Sequence, residues 1–120
     1  MTGLNVKTSI FPYRLKLSDR EPLEMVVEIK NTDYKPKLVS FTMKLPEAVA
    51  VDKSGMTRVV EKNLDSMKPG EIKKFTYPIF PSKYAESGTH NGKIVVSEHY
   101  NDYSYVLSSL SKEIVFRVVD

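Results

Sequence analysis

An all-β fold, a two-sheet antiparallel sandwich of seven or eight strands, is predicted by three features of the sequence. Apolar residues alternate in short stretches: Leu23-Met25-Val27-Ile29, Val39-Phe41-Met43-Leu45, Phe75-Tyr77-Ile79 and Ile114-Phe116-Val118. Period-two alternation buries one face of a strand and leaves the other to solvent, as packed antiparallel sheets require. Proline, glycine, asparagine and aspartate punctuate the stretches at spacings of roughly a dozen residues, the rhythm of a sandwich. No segment carries a strong helical pattern.

Leu4, Val6, Thr8 and Ile10 alternate with Asn5, Lys7 and Ser9 in a first strand. Pro12 interrupts it, and Tyr13, Leu15 and Leu17 resume the alternation with Arg14 and Lys16 outside. Proline within a strand is tolerated at an edge or a bulge, so this reads as an edge strand kinked at Pro12. Ser18-Asp19-Arg20-Glu21-Pro22 is a turn. A second strand runs from Leu23 to Lys30 and closes at Asn31-Thr32-Asp33. After the loop Tyr34-Lys35-Pro36, Lys37 opens a third strand to Leu45, and Pro46 ends it by removing a ladder donor. Ala48-Val49-Ala50-Val51 is a short fourth strand, Asp52-Lys53-Ser54-Gly55 a turn, and Thr57 to Glu61 a short strand; the pattern is weakest from there to Met67. Lys68-Pro69-Gly70-Glu71 is a tight turn, with Pro69 presetting φ and Gly70 free to take positive φ.

A long strand follows through Phe75, Tyr77 and Ile79 to Phe80-Pro81. Ser82 to Asn91 reads as a loop, hinged at Gly88 and Gly92. Lys93 to Tyr100 is a strand, Asn101-Asp102 a hairpin turn, and Tyr103 to Leu107 its return. Ser108-Ser109-Leu110-Ser111 bends the chain into a final strand, Glu113 to Val119, so both termini are expected in sheets. The proline-marked strand ends and the long Ser82–Asn91 connection favour an open sandwich over a closed barrel.

The 120 residues are expected to form one domain, a size that buries about two-thirds of the unfolded surface. A 41% hydrophobic and 28% charged composition argues against disorder. No stretch approaches the roughly 18 apolar residues of a membrane span. Met1 to Lys7 lacks a charged leader and apolar block, so no signal peptide is expected. The expected compartment is the cytoplasm, or the cell exterior if the chain is a trimmed domain. Zero cysteine removes disulfides, thiolate zinc sites and cysteine nucleophiles together. The net charge of +3 is spread over residues such as Lys7, Lys30, Lys37, Lys74 and Arg117, mostly at out-facing strand positions. Dispersed charge of this kind solubilises and protects edges, and it argues against nucleic acid as the partner.

The order of these features resembles the immunoglobulin-like domains of the CARDB type, a module named for bacterial cell-adhesion proteins. The resemblance rests on Leu23 to Asn31, an alternating strand ending in Asn, and Val39 to Pro46, a strand ending in Leu-Pro. Leu64 with Lys68-Pro69-Gly70-Glu71 is similar to its Leu…Pro-Gly-Glu turn, and Gly88 to Val96 to its Gly-led penultimate strand. Glu98 departs from the Asp that often ends that strand, and Tyr100 to Leu107 looks like an added hairpin. The resemblance implies an immunoglobulin-like sandwich with Greek-key connections and a non-catalytic adhesive or spacer role, with no catalytic residues to carry over.

The residues themselves offer little catalysis. His90 falls in the predicted loop and His99 near a strand end with out-facing parity; only Glu86, Glu98 and Asp102 lie near them, short of a zinc set, and both imidazoles are expected in solvent. No serine sits in a Gly-x-Ser-x-Gly elbow, and no carboxylate pair is buried by pattern. No calcium loop or phosphate-cradling glycine loop occurs. No enzyme activity, cofactor or metal is expected. Tyrosine is the enriched residue, seven without a tryptophan. Tyr84, His99, Tyr100, Asp102, Tyr103 and Tyr105 form the candidate partner-binding set, because Tyr, Ser and Asn on loops make adaptable contact surfaces. Tyrosines paired across a hairpin also serve structure alone. The expected function is binding of a protein partner, or self-association, through an edge strand and this hairpin. A carbohydrate ligand is the alternative, and nucleic acid the weaker one.

Overall fold

The computed structural model describes residues 3–18 and 21–120. The strands are β1 (Leu4–Phe11), β2 (Leu15–Lys16), β3 (Leu23–Asn31), β4 (Lys37–Lys44), β5 (Val49–Ala50), β6 (Val59–Met67), β7 (Ile72–Pro81), β8 (Gly88–His99) and β9 (Val106–Val119). Two are only two residues long, which leaves seven strands of substance among the described residues. One sheet has the order β1-β3-β7-β5 and the other β2-β9-β8-β4-β6; pairing is antiparallel except between β2 and β9. Every connection but that between β8 and β9 passes from one sheet to the other. Among the described residues no helix is long and apolar enough to cross a membrane.

The alternating residues meet between the sheets. Leu23, Met25, Val27 and Ile29 of β3 face Val39, Phe41 and Met43 of β4, Ile94 and Val96 of β8, and Ile114, Phe116 and Val118 of β9 in one core. Phe41 packs a tilted ring on Phe75 with centroids 5.4 Å apart. Burying each such side chain contributes roughly 1.5–3 kcal/mol, enough collectively to oppose chain entropy.

Several local expectations are corrected. Pro12 does not kink a single strand: β1 pairs with β3, and after the Phe11–Pro12 peptide the chain crosses to pair Leu15 and Lys16 with Val118 and Val119 of the other sheet. Of the turn Ser18–Pro22, Asp19 and Arg20 lie outside the described residues, as does Met1. The weakly patterned stretch to Met67 is a full edge strand, β6, paired with β4 around a register shift. The loop before β8 ends at Ser87, so His90 and the supposed hinges Gly88 and Gly92 lie in a strand. Gly92 is required there by packing: a Cβ would sit 2.8 Å from the Lys44 carbonyl oxygen and 3.3 Å from the Phe116 ring. Ser108 to Ser111 is no bend, because hydroxyls fit a sheet when they face one another, and the Ser97 and Ser109 hydroxyls lie 2.9 Å apart on adjacent strands. The hairpin return starts at Val106, so its connection is longer than the predicted two-residue turn.

Candidate functional site

Local hydrogen bonding builds the β8–β9 hairpin. The Tyr100 amide donates to the Tyr105 carbonyl at 3.1 Å and the Asp102 amide to the Tyr100 carbonyl at 2.7 Å. Asn101 takes φ +68°, a left-handed conformation that asparagine tolerates. The Ser104 hydroxyl and amide both donate to the Asp102 carboxylate, closing the turn and holding that carboxyl below its ordinary range.

The set of residues expected to bind divides in two. Tyr103 folds across the outer face of the five-stranded sheet, its ring edge-on to His99 at 5.2 Å. Its hydroxyl accepts the Asp65 amide of β6 at 2.8 Å, spanning β4. His99 has the expected outward parity, opposite Leu38, yet it is only 8% exposed because Tyr103 covers it. Its Nε2 lies 2.6 Å from the Ser40 hydroxyl, and Nδ1 is buried with no hydrogen-bond partner among the described residues. A serine against a histidine is half of a hydrolytic constellation, but the carboxylate that would orient the imidazole does not reach Nδ1. Tyr103, His99 and Ser40 thus support the hairpin, while Tyr100 and Tyr105, 64% and 59% exposed, face solvent with rings edge-on at 6.0 Å.

Tyr84 does not join them. It precedes β8 whereas the hairpin follows it, so β8 separates them by roughly 36 Å of strand at about 3.3 Å per residue. Its ring lies 5.8 Å from the Arg58 guanidinium and 5.1 Å from the Lys83 ammonium.

Beneath the hairpin lies an ion cluster whose members Lys37 and Glu98 continue the inward parity of their strands. Lys37, an exception among basic residues expected mostly at out-facing positions, points between the sheets and is buried, with Nζ 2.9 Å from Glu98 and 3.2 Å from Asp33. Burial opposes its charge, but hydrogen bonds to Glu98 and Asp33 outweigh it and raise its pKa above the ordinary 10.5. The Tyr34 amide and then Lys37 hold Asp33 below its ordinary 3.8. A carboxyl depressed in the native state contributes stability above its unfolded pKa and loses it as pH falls through the native value. Acid unfolding of the wild type is therefore expected to steepen below pH 3.8, and Asp33→Asn to flatten it; parallel melting curves from pH 2 to 6 would refute this. Lys37 behaves oppositely, its share of stability being lost only above pH 10.5.

From the hairpin runs an open strand edge. β8 covers one side of β9, but β2 covers the other only at Val118 and Val119. The edge from Val106 to Arg117 has no neighbouring strand among the described residues. Tyr105, Val106 and Leu107 form a consecutive exposed apolar run at its start. Midway, the inward-pointing Lys112 donates to the Val6 carbonyl of β1 at 3.5 Å, bridging the two sheet edges.

Solved structures share this architecture at low identity. A FixG-related protein from Vibrio parahaemolyticus superposes with TM-score 0.60 and 10% identity over 98% of both chains. The ASH/PapD-like domain of human CEP192 gives 0.57 and 17% over 99% of this chain and 87% of that one. AvmM, which catalyses macrocyclization in alchivemycin A biosynthesis, gives 0.64 and 9% over 100% and 90%. The fold is an immunoglobulin-like β-sandwich. No family model and no curated protein matches the sequence. Within this sandwich no three His, Asp or Glu side chains gather in a metal-holding group among the described residues. Sequence reasoning missed Ser40, Lys37 and Asp65 as the hairpin's supports; the shared inward parity of Lys37 with Val39 and of Glu98 with Val96, with their opposite charges, is the signal that could have suggested a pair.

Proposed function

We propose that this chain is a non-catalytic protein-interaction or assembly module. An extended segment of a partner chain, a second copy included, adds to the open edge of β9 while Tyr100 and Tyr105 anchor it. The observation that carries this reading is continuity: the exposed tyrosines stand directly before the unpaired edge from Val106 onward. Strand addition supplies main-chain hydrogen bonds for affinity and side-chain pockets for specificity, and tyrosine anchors add area at low entropic cost. The CARDB-type resemblance supports the same reading, since it implies an adhesive or spacer role.

Light scattering of the purified protein, followed by pull-down from its native extract, tests the proposal. A concentration-dependent oligomer, or a captured protein, is expected to be weakened about tenfold or more by Tyr105→Ala, the loss expected of an interface anchor. A strictly monomeric chain that captures no protein overturns it.

A further inference from the structure

The far end of the open edge is built differently from the tyrosine end. Where β2 begins to cover β9, Tyr13 stands 61% exposed with two guanidiniums against its ring, Arg14 at 5.7 Å and Arg117 at 5.2 Å. Among the described residues no carboxylate lies within 4.0 Å of either guanidinium. A guanidinium laid against a ring is held in orientation while its N–H fork stays free, which suits a carboxylate better than a flexible ammonium would. A groove of about 250 Å³ between β1 and β9, lined by Thr8, Ile10, Glu113 and Val115, leads to this cluster and ends at Tyr13 and Arg117.

We propose that the segment which pairs with β9 is acidic at the end lying against Arg117, and that Arg14 and Arg117 take its carboxylate. This rests on the edge-pairing reading above and adds the chemistry of the partner. The observations favour one or two carboxylates over a polyanion. Arg14, Arg117 and Lys16 line the clefts that meet at Tyr13 together with Glu21, Glu113 and Asp120, three cations to three carboxylates, so the region lacks the net positive field that a polyanion needs. Tyr13 already lies against two cations, which leaves it poorly placed to stack on a nucleic-acid base.

Two blocked, fluorescein-labelled decapeptides of alternating Thr and Val, one ending in Glu-Glu and the other in Gln-Gln, serve as probes in fluorescence anisotropy at low salt. The Glu-Glu peptide is expected to bind at least tenfold more tightly, and Arg14→Gln with Arg117→Gln to bring the two affinities together without changing the circular dichroism. Lys53→Gln, in the exposed turn after β5 on the opposite edge of the four-stranded sheet from β1, is expected to change neither. Equal binding of the two peptides to the wild type overturns the carboxylate site and leaves edge pairing standing. Binding of neither overturns both. An equal loss in Lys53→Gln assigns the effect to bulk charge and overturns the site, as does tighter binding of a twelve-nucleotide oligo-dT that Arg14→Gln with Arg117→Gln abolishes.

Discussion

Asn31→Leu is expected to cost about 3–4 kcal/mol and to lower the melting temperature by roughly 12–16 °C, from about 4 °C per kcal/mol for a domain of this size. The side chain is fully buried where β3 ends. Its amide donates to the Met67 carbonyl at 3.0 Å and the Lys35 carbonyl at 2.9 Å, and its oxygen accepts the Asp33 amide at 2.9 Å. Its backbone is committed as well, donating to Glu71 and accepting from Gly70. One residue thereby ties β3 in one sheet to the end of β6 in the other and to both adjoining turns. Leucine has a similar size, so the loss measures unsatisfied polar groups rather than a cavity. The Met67 carbonyl, the most buried partner, accounts for the largest share. A chemical denaturation series showing less than about 1 kcal/mol of loss would remove Asn31 as the staple between the sheets.

Gly92→Ala is expected to cost about 2–3 kcal/mol, near the top of the range for overpacking a core. A methyl group there meets the Lys44 carbonyl oxygen at 2.8 Å, Pro46 at 3.2 Å and Phe116 at 3.3 Å. The closest of these is backbone on the neighbouring strand, so the clash displaces β4 from β8 and not merely a side chain. The double change Gly92→Ala with Phe116→Leu separates the two contributions. If Lys44 dominates, making room at Phe116 restores none of the loss. A cost of Gly92→Ala that vanishes in the Phe116→Leu background would show that the ring, and not the strand spacing, demands glycine.

The architecture was legible because one-sided burial writes itself as alternation: Leu23 to Ile29, Val39 to Met43 and Ile114 to Val118 all face the core. Local chemistry misled where tertiary packing reversed it. Ser108 to Ser111 has turn-forming residues, yet pairing with β8 keeps it extended. His99 has outward parity, and nothing near it in sequence reports that Tyr103 will fold back over it. Lys37 continues the inward parity of Val39, Phe41 and Met43, but parity alone does not report the carboxylate Glu98, far along the chain, that lets a lysine be buried there. The tyrosine cluster was visible in composition, but its division into supporting Tyr103 and exposed Tyr100 and Tyr105 depends on Asp65, which lies across two strands. Tyr84 stands near them in sequence, although the full length of β8 lies between.

Passing from sheet to sheet at each connection but one also sets the order of assembly. β1 must wait for β3, β3 for β7, and β4 for β8 before any of those pairs can form, and each closure orders a long loop first. Only β8 and β9 can zip directly from their own turn, through the longest ladder in the molecule. The tyrosine hairpin is thus the ladder that costs the full-length unfolded chain the least loop closure, and the same segment that faces outward in the finished protein is the one able to take shape first.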